Sequence, residues 1–130
     1  MRQHPVELIL ARNLAARLAM PTLLVDGRGE LLYANRPAED LLGQAGVGPD
    51  RVRRLAERVS SLDPHDPDEQ PIVLAEMPGT VALQRGRPTH REIHVVDVAG
   101  RDRHVSVTAI PIELPAREIV GALIMFWEVD

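Results

Sequence analysis

The last third of the chain restricts its fold more than any other part. Residues 91–96, 103–112 and 119–129 alternate or run apolar and are rich in Val, Ile and Thr, as strands are. Turn-forming residues separate them, with Asp97 and Gly100 in the first gap and Pro111 to Ala116 spanning the second. A parallel crossover needs a dozen or more residues, so connections this short make the three strands an antiparallel meander. If Gly100 takes the left-handed position of a three-residue turn, Asp97 faces Arg101, Ile93 faces Val105, Arg91 faces Val107 and His94 faces His104. One side of this hairpin then carries Ile93, Val95, Val105, Val107 and Ala109, the core side. The other collects His90, Glu92, His94, His104, Ser106 and Thr108.

Upstream, residues 6–19 place Val6, Leu10, Leu14 and Leu18 at steps of four, widened by Leu8, Ile9, Ala11, Ala15 and Ala16. Bracketed by Pro5 and Pro21, this stretch reads as a helix. Its apolar surface exceeds one small contact, so one side is expected on the domain and Leu10, Leu14 and Leu18 against a partner chain. Residues 22–25 and 31–34 are extended, and the Asp26-Gly27 step between them signals a hairpin. Asn35 then suits the N-cap of a short helix that has Glu39 and Asp40 near its positive end and that Leu41, Leu42 and Gly43 close. Residues 52–59 are expected to be helical, with Arg51, Arg53, Arg54 and Arg58 alternating with Asp50 and Glu57 as a solvated face. The run LDPHDPDEQP holds Pro64, Pro67 and Pro71 and reads as a loop. Pro78 opens a further helix that Gly86 and Pro88 end.

Composition narrows the chemistry. The chain has 130 residues, 45% of them hydrophobic, enough to bury a core as one domain without disulfides. It has no Cys, and all 15 of its cationic side chains are Arg. Thiolate nucleophiles, thiolate metal sites and Schiff bases are therefore excluded. Only Tyr33, Phe126 and Trp127 are aromatic, which leaves little stacking surface for a flat ligand or for bases. A net charge of -4 with scattered arginines argues against nucleic acid. The longest apolar run, residues 119–127, is too short for a bilayer, and the N-terminus does not read as an export signal, so a cytoplasmic protein is expected.

The segment PTLLVDGRGELLYANRPAEDLLG, through Asp26, Gly27, Asn35, Ala38, Glu39, Leu41, Leu42 and Gly43, resembles the opening of a PAS domain. GRPTHREIHVVDVAGRDRHVSVTAIPI and EIVGALIMFWEVD are similar to that family's last three strands. The resemblance covers residues 21–130, with residues 1–20 as an N-terminal dimerisation helix. It implies an α+β fold: a five-stranded antiparallel sheet in the order 2-1-5-4-3, short helices enclosing a pocket on one face, and the N-terminal helix on the other. The chain stops where many members run on into a coiled coil and an output domain, so a free-standing sensor and a piece of a larger signalling protein both remain open.

What the resemblance implies functionally is a homodimeric sensor that binds a small ligand or a protein partner and relays the signal, to a kinase or a transcription regulator for example, without being an enzyme. A ligand pocket would be lined by Leu41, Leu42, Val81, Leu83, Ile93, Val95, Val105, Val107 and Ala109. The same residues serve equally as plain core, which leaves a ligand-free protein-protein interaction module as the alternative. No cofactor is expected: covalent flavin and thiol-attached chromophores need the absent Cys, and the family's haem members use a helix histidine where the helix at 78–85 has none. His94 and His104, with Glu92 beside them, have the ligand types to hold Zn²⁺ or Ni²⁺ or to respond to pH. A polar strand face under a helix or partner is the plainer reading, and no metal is expected. A Ser106-His104 hydrolase lacks an orienting Asp and an oxyanion loop, and Gly43, Gly46 and Gly48 lack a phosphate loop's context. A small enzyme on the histidine face would require an accessible cleft there.

Overall fold

The computed structural model describes residues 5–43, 46, 48–97 and 99–129. Residues 1–4, the start of the expected N-terminal segment, and Asp130 at the expected end of the domain lie outside the described residues. The elements run α1 (Val6–Ala15), β1 (Thr22–Asp26), β2 (Leu31–Ala34), α2 (Arg36–Leu42), α3 (Arg51–Ser60), a 3₁₀ turn (Leu74–Glu76), α4 (Pro78–Arg85), β3 (Thr89–Val96), β4 (Asp102–Glu113) and β5 (Ile119–Glu128). The strands form one antiparallel sheet in the order β2-β1-β5-β4-β3.

Period-two alternation decides which side chains each face receives. Leu23, Ile93, Val95, Val105, Val107 and Phe126 point to the inner face, where Ala38 and Leu42 of α2 and Leu55 of α3 cover them. Leu24 and Leu123 point to the outer face and meet Leu8, Ala11 and Ala15 of α1. Arg12 of α1 also lies over the Tyr33 ring, 5.1 Å from its centroid. Close approach of α1 depends on Gly121: a Cβ there would stand 2.4 Å from the Val25 carbonyl oxygen and 2.7 Å from a Leu8 methyl.

α1 is shorter than the apolar pattern suggests. It ends at Ala15, so Leu18, expected on the dimer helix, lies beyond it. The reason is Asn35. Its side-chain nitrogen donates to the carbonyls of Ala15 (2.9 Å) and Met20 (2.8 Å), with that of Leu18 at 3.3 Å, and so draws the chain out of helical register. Its side-chain oxygen accepts from the Thr22 and Ala38 amides at 2.9 and 3.0 Å, the second being the N-cap bond of α2. Asn35 is fully buried, and this one carboxamide satisfies groups from three elements.

The hairpins share one turn. In residues 26–30 the Asp26 amide donates to the Glu30 carbonyl, the Asp26 carboxylate accepts from the Arg28 and Glu30 amides, and Gly29 takes the left-handed conformation. The turn therefore has three residues, and Gly29, not Gly27, supplies the positive φ. Residues 97–101 repeat it with Gly100, giving the register His94↔His104 and Ile93↔Val105. Residues 66–70 repeat it again with Glu69, and 114–118 repeat its backbone with Arg117, both at positive φ.

The 66–70 turn sits in the proline-rich loop and has a consequence for the sheet. It folds the loop back so that His65 pairs with His94 through two backbone hydrogen bonds of 2.9 Å, while the Val96 amide donates to the Leu62 carbonyl. An isolated bridge thus covers the end of the free edge of β3, at His94 and Val96. α3, basic as its sequence indicates, joins α2 through an Arg51–Glu39 ion pair and pairs Arg53 with Glu57 on its solvent side.

Candidate functional site

The inner face is the first candidate. Leu42, Ile93, Val95, Val105 and Val107 share one buried cluster, with Leu41 packed at its margin, and Ala109 is also buried. Val81 and Leu83 lie elsewhere: they are half-buried outside that cluster, and α4 turns Pro78 and Ala82 inward instead. Neighbours along a helix are rotated about 100° apart, so Ala82 and its two flanking residues do not share a face. Ile72, from the end of the loop, completes the cluster.

An open groove of about 450 Å³ runs beside this cluster, between Pro37, Asp40 and Leu41 of α2 and the β3–β4 turn, with Val105 and Phe126 in its lining. Of the nine expected pocket residues it takes Leu41 and Val105. Its far wall is charged. Arg103 donates to Asp97 and Glu128, both at 2.7 Å, linking the turn to the end of β5. The Arg101 amide and the Arg103 guanidinium hold the Asp97 carboxyl below its ordinary pKa. A second cleft of about 450 Å³, lined by Glu7, Glu113, Leu114, Pro115 and Arg117, lies where α1 meets the β4–β5 turn.

The outer face of β3 and β4 is the second candidate. His94 and His104 are direct cross-strand partners, and their rings stack with centroids 4.6 Å apart at 10°. The sequence pattern places these two together but misses the third ring. His65 stacks on His94 from the loop side, 5.5 Å away at 24°. Asp102 closes the group, with one carboxylate oxygen 3.2 Å from His65 Nε2 and the other 3.8 Å from His94 Nδ1. His104 Nε2 instead faces Glu92 at 3.8 Å. The hydrogen bond to the Asp63 carbonyl, opposed by burial and aided by Asp102, raises the His65 pKa above its ordinary value.

Ser106 pairs with His90, its hydroxyl 3.1 Å from Nε2, rather than with His104. His90 Nδ1 is held by the Thr108 hydroxyl at 2.7 Å, and Trp127 lies alongside the ring. The orienting partner is thus a hydroxyl where a hydrolytic triad has a carboxylate, and Ser106 itself is buried. His65, His90, His94 and His104 all gather on this side, so among the described residues the inner face carries no imidazole to ligate a haem.

The strand order, the outer α1 and the short inner helices together match one family. A family model described as the PAS fold matches residues 10–129. The chain belongs to the PAS family. Two solved PAS domains superpose on it over most of their length. That of BvgS from Bordetella pertussis gives a TM-score of 0.63 at 20% identity, covering 95% of this chain and 85% of that one. That of nitrogen regulation protein NR(II) from Vibrio parahaemolyticus gives 0.61 at 23%, covering 92% and 98%. VqmA of Vibrio cholerae gives 0.55 at 13%, covering 98% of this chain and 52% of that one. At these identities the likeness carries the fold. Among curated proteins, none matches this PAS domain in sequence. Among its described residues, no helix is long and apolar enough to cross a membrane.

Proposed function

We propose that this PAS domain is a cytoplasmic, non-catalytic signalling module that works as a homodimer. The observation that carries the reading is the outward side of α1. Val6, Leu10 and Leu14 are each more than half exposed and stand in one row at steps of four, with Ile9 beside them, while Leu8, Ala11 and Ala15 hold the helix to the sheet. A row of this kind suits a second copy of itself, because a two-fold axis sets identical apolar residues against one another. The neighbours support a relay role: one is a PAS domain from a two-component sensor histidine kinase, and VqmA is described as a dimer whose conformation shifts in the absence of target DNA. Signal would pass as a population shift: a ligand against the inner face, or a partner in the charged groove beside α2, changes how α1 packs and hence the dimer.

Sedimentation of the Leu10→Glu/Leu14→Glu double variant tests the assembly. Monomers are expected, with the far-ultraviolet spectrum of the parent protein. A dimer that persists would overturn the role given to α1. The second reading, a ligand-free interaction module, is favoured by the close packing of the inner cluster. Native mass spectrometry after gentle extraction separates the two, since a retained small molecule supports sensing.

A further inference from the structure

We propose that His65, His94 and Asp102 form a binding site for a divalent transition-metal ion of the Zn²⁺ type, one that clasps the 62–72 loop to the edge of β3. Each of these three residues offers one ligand atom, and the three atoms lie within 4.8 Å of one another. Tetrahedral Zn²⁺ with ligand bonds of about 2.1 Å sets its donor atoms about 3.4 Å apart. His65 Nε2 stands 3.2 Å from one Asp102 oxygen and His94 Nδ1 3.8 Å from the other, each near that separation. Two imidazoles and one carboxylate leave a fourth position for water, a donor set common for this ion.

The hydrogen bonding leaves His65 with the right nitrogen free to ligate. His65 Nδ1 is 2.9 Å from the Asp63 carbonyl, which can only accept, so Nδ1 carries the ring proton. In the neutral ring Nε2 then carries a lone pair 3.2 Å from an Asp102 oxygen, a pair that either a proton or a metal ion can bridge. His94 Nδ1 turns toward the other oxygen of the same carboxylate. A proton on Nε2 bridges only His65 and Asp102, whereas a metal ion there can also take His94 as a ligand. A carbonyl that fixes the tautomer of a ligating histidine is also the outer support that metal-bound imidazoles use. The rings are constrained from behind as well, His65 by its backbone pairing with β3 and His94 by stacking on His104.

Occupancy would have a structural effect, because two ligands belong to the sheet and one to the loop. The loop also delivers Leu62 and Ile72 to the inner cluster. An ion at its edge therefore fixes part of the inner wall from outside.

The test is titration of tag-free protein with Zn²⁺ alone, followed by calorimetry and thermal melting. One Zn²⁺ per chain is expected, with a melting temperature raised by about 5 °C or more in excess metal. Asp102 is largely exposed, so Asp102→Asn leaves the fold intact. It and His65→Ala are each expected to weaken binding more than about tenfold. His90→Ala, outside the cluster, is expected to bind as the parent does. The proposal is overturned by an unchanged melting temperature with no binding heat, by parental affinity in Asp102→Asn and His65→Ala, or by loss of binding in His90→Ala.

Discussion

The two faces of the sheet are closed by different means. The inner face is covered by α2 and α3, whose Ala38, Leu42 and Leu55 join a single cluster with Ile72 from the end of a loop. On the outer face one helix covers β1 and β5, and the remainder of the surface is given to imidazoles, hydroxyls and a half-exposed Trp127. The inner arrangement suits stability, since each fully buried leucine contributes about 2 kcal/mol. The outer one keeps polar groups and an apolar helix row within reach of solvent, where a second molecule or an ion can change their surroundings. The signalling role proposed above draws on both properties, and the fold assigns them to opposite sides of the same strands.

The largest effect that would sharpen this contrast is a pair of truncations. Leu55→Ala, on the inner face, removes a side chain with no exposure and is expected to cost about 3 kcal/mol in urea unfolding. Leu14→Ala, exposed on α1, is expected to change the stability of the monomer by less than about 0.5 kcal/mol. Equal costs would break the division of labour between the faces.

Two glycines offer the next comparison. Gly121→Ala drives a methyl into the Val25 carbonyl and against Leu8, so α1 and β5 must shift, at about 2 kcal/mol. Gly79→Ala, in α4, meets only the terminal methyl of Ile124 at 2.7 Å, which can rotate away, and alanine improves the helix. Its melting temperature is expected within a degree or two of the parent's, on the order of the small effects seen when strain and propensity offset. Loss of α1 docking in Gly121→Ala should also appear as a change in the environment of Tyr33.

Smaller still is the effect of the turns. Arg117 and Glu69 occupy the left-handed position that Gly29 and Gly100 occupy in the other copies. Arg117→Gly is expected to raise stability by about 0.5 kcal/mol, since relief of the backbone is partly offset by a more flexible unfolded chain. Gly100→Ala should lower it by about 1 kcal/mol.

Acid provides the last comparison. Asp97, in the charged wall of the groove, has a folded pKa below its unfolded one. Its contribution is present above about pH 4 and is lost as protons reach it in the folded state. Asp97→Asn is therefore expected to flatten the acid limb of a stability profile and leave its slope above neutrality unchanged.

Much of this was legible in the residues. Short gaps rich in turn formers specify the meander, and the position of Gly100 fixes its register, so the facing of His94 and His104 follows from local chemistry. The inner list was less legible. Val81 and Leu83 are as apolar as the residues that α4 does bury, and only packing reveals that Ala82 and Pro78 face inward. His65 was invisible for a different reason: a proline-rich loop has no periodicity to say where its side chains go. A signal was nonetheless present, since Asp66 to Gln70 repeats the spacing of Asp26 to Glu30 and Asp97 to Arg101, with Glu69 standing where glycine marks the others. The end of α1 was missed because Asn35, far along the chain, takes the carbonyls that would have continued it.

Asn35 binds the last carbonyl of an outer helix, that of Ala15, with one end of its carboxamide and the Ala38 amide in the first turn of an inner helix with the other. Fraying of α1 at Ala15 therefore removes one of the restraints that orient the cap of α2. In hydrogen-exchange terms the Ala38 amide and the β1 amide of Thr22 should open together with the end of α1, as one cooperative unit rather than two. A pull on α1 would then be felt beside the groove without any strand changing partners, through a fastener the size of a single side chain.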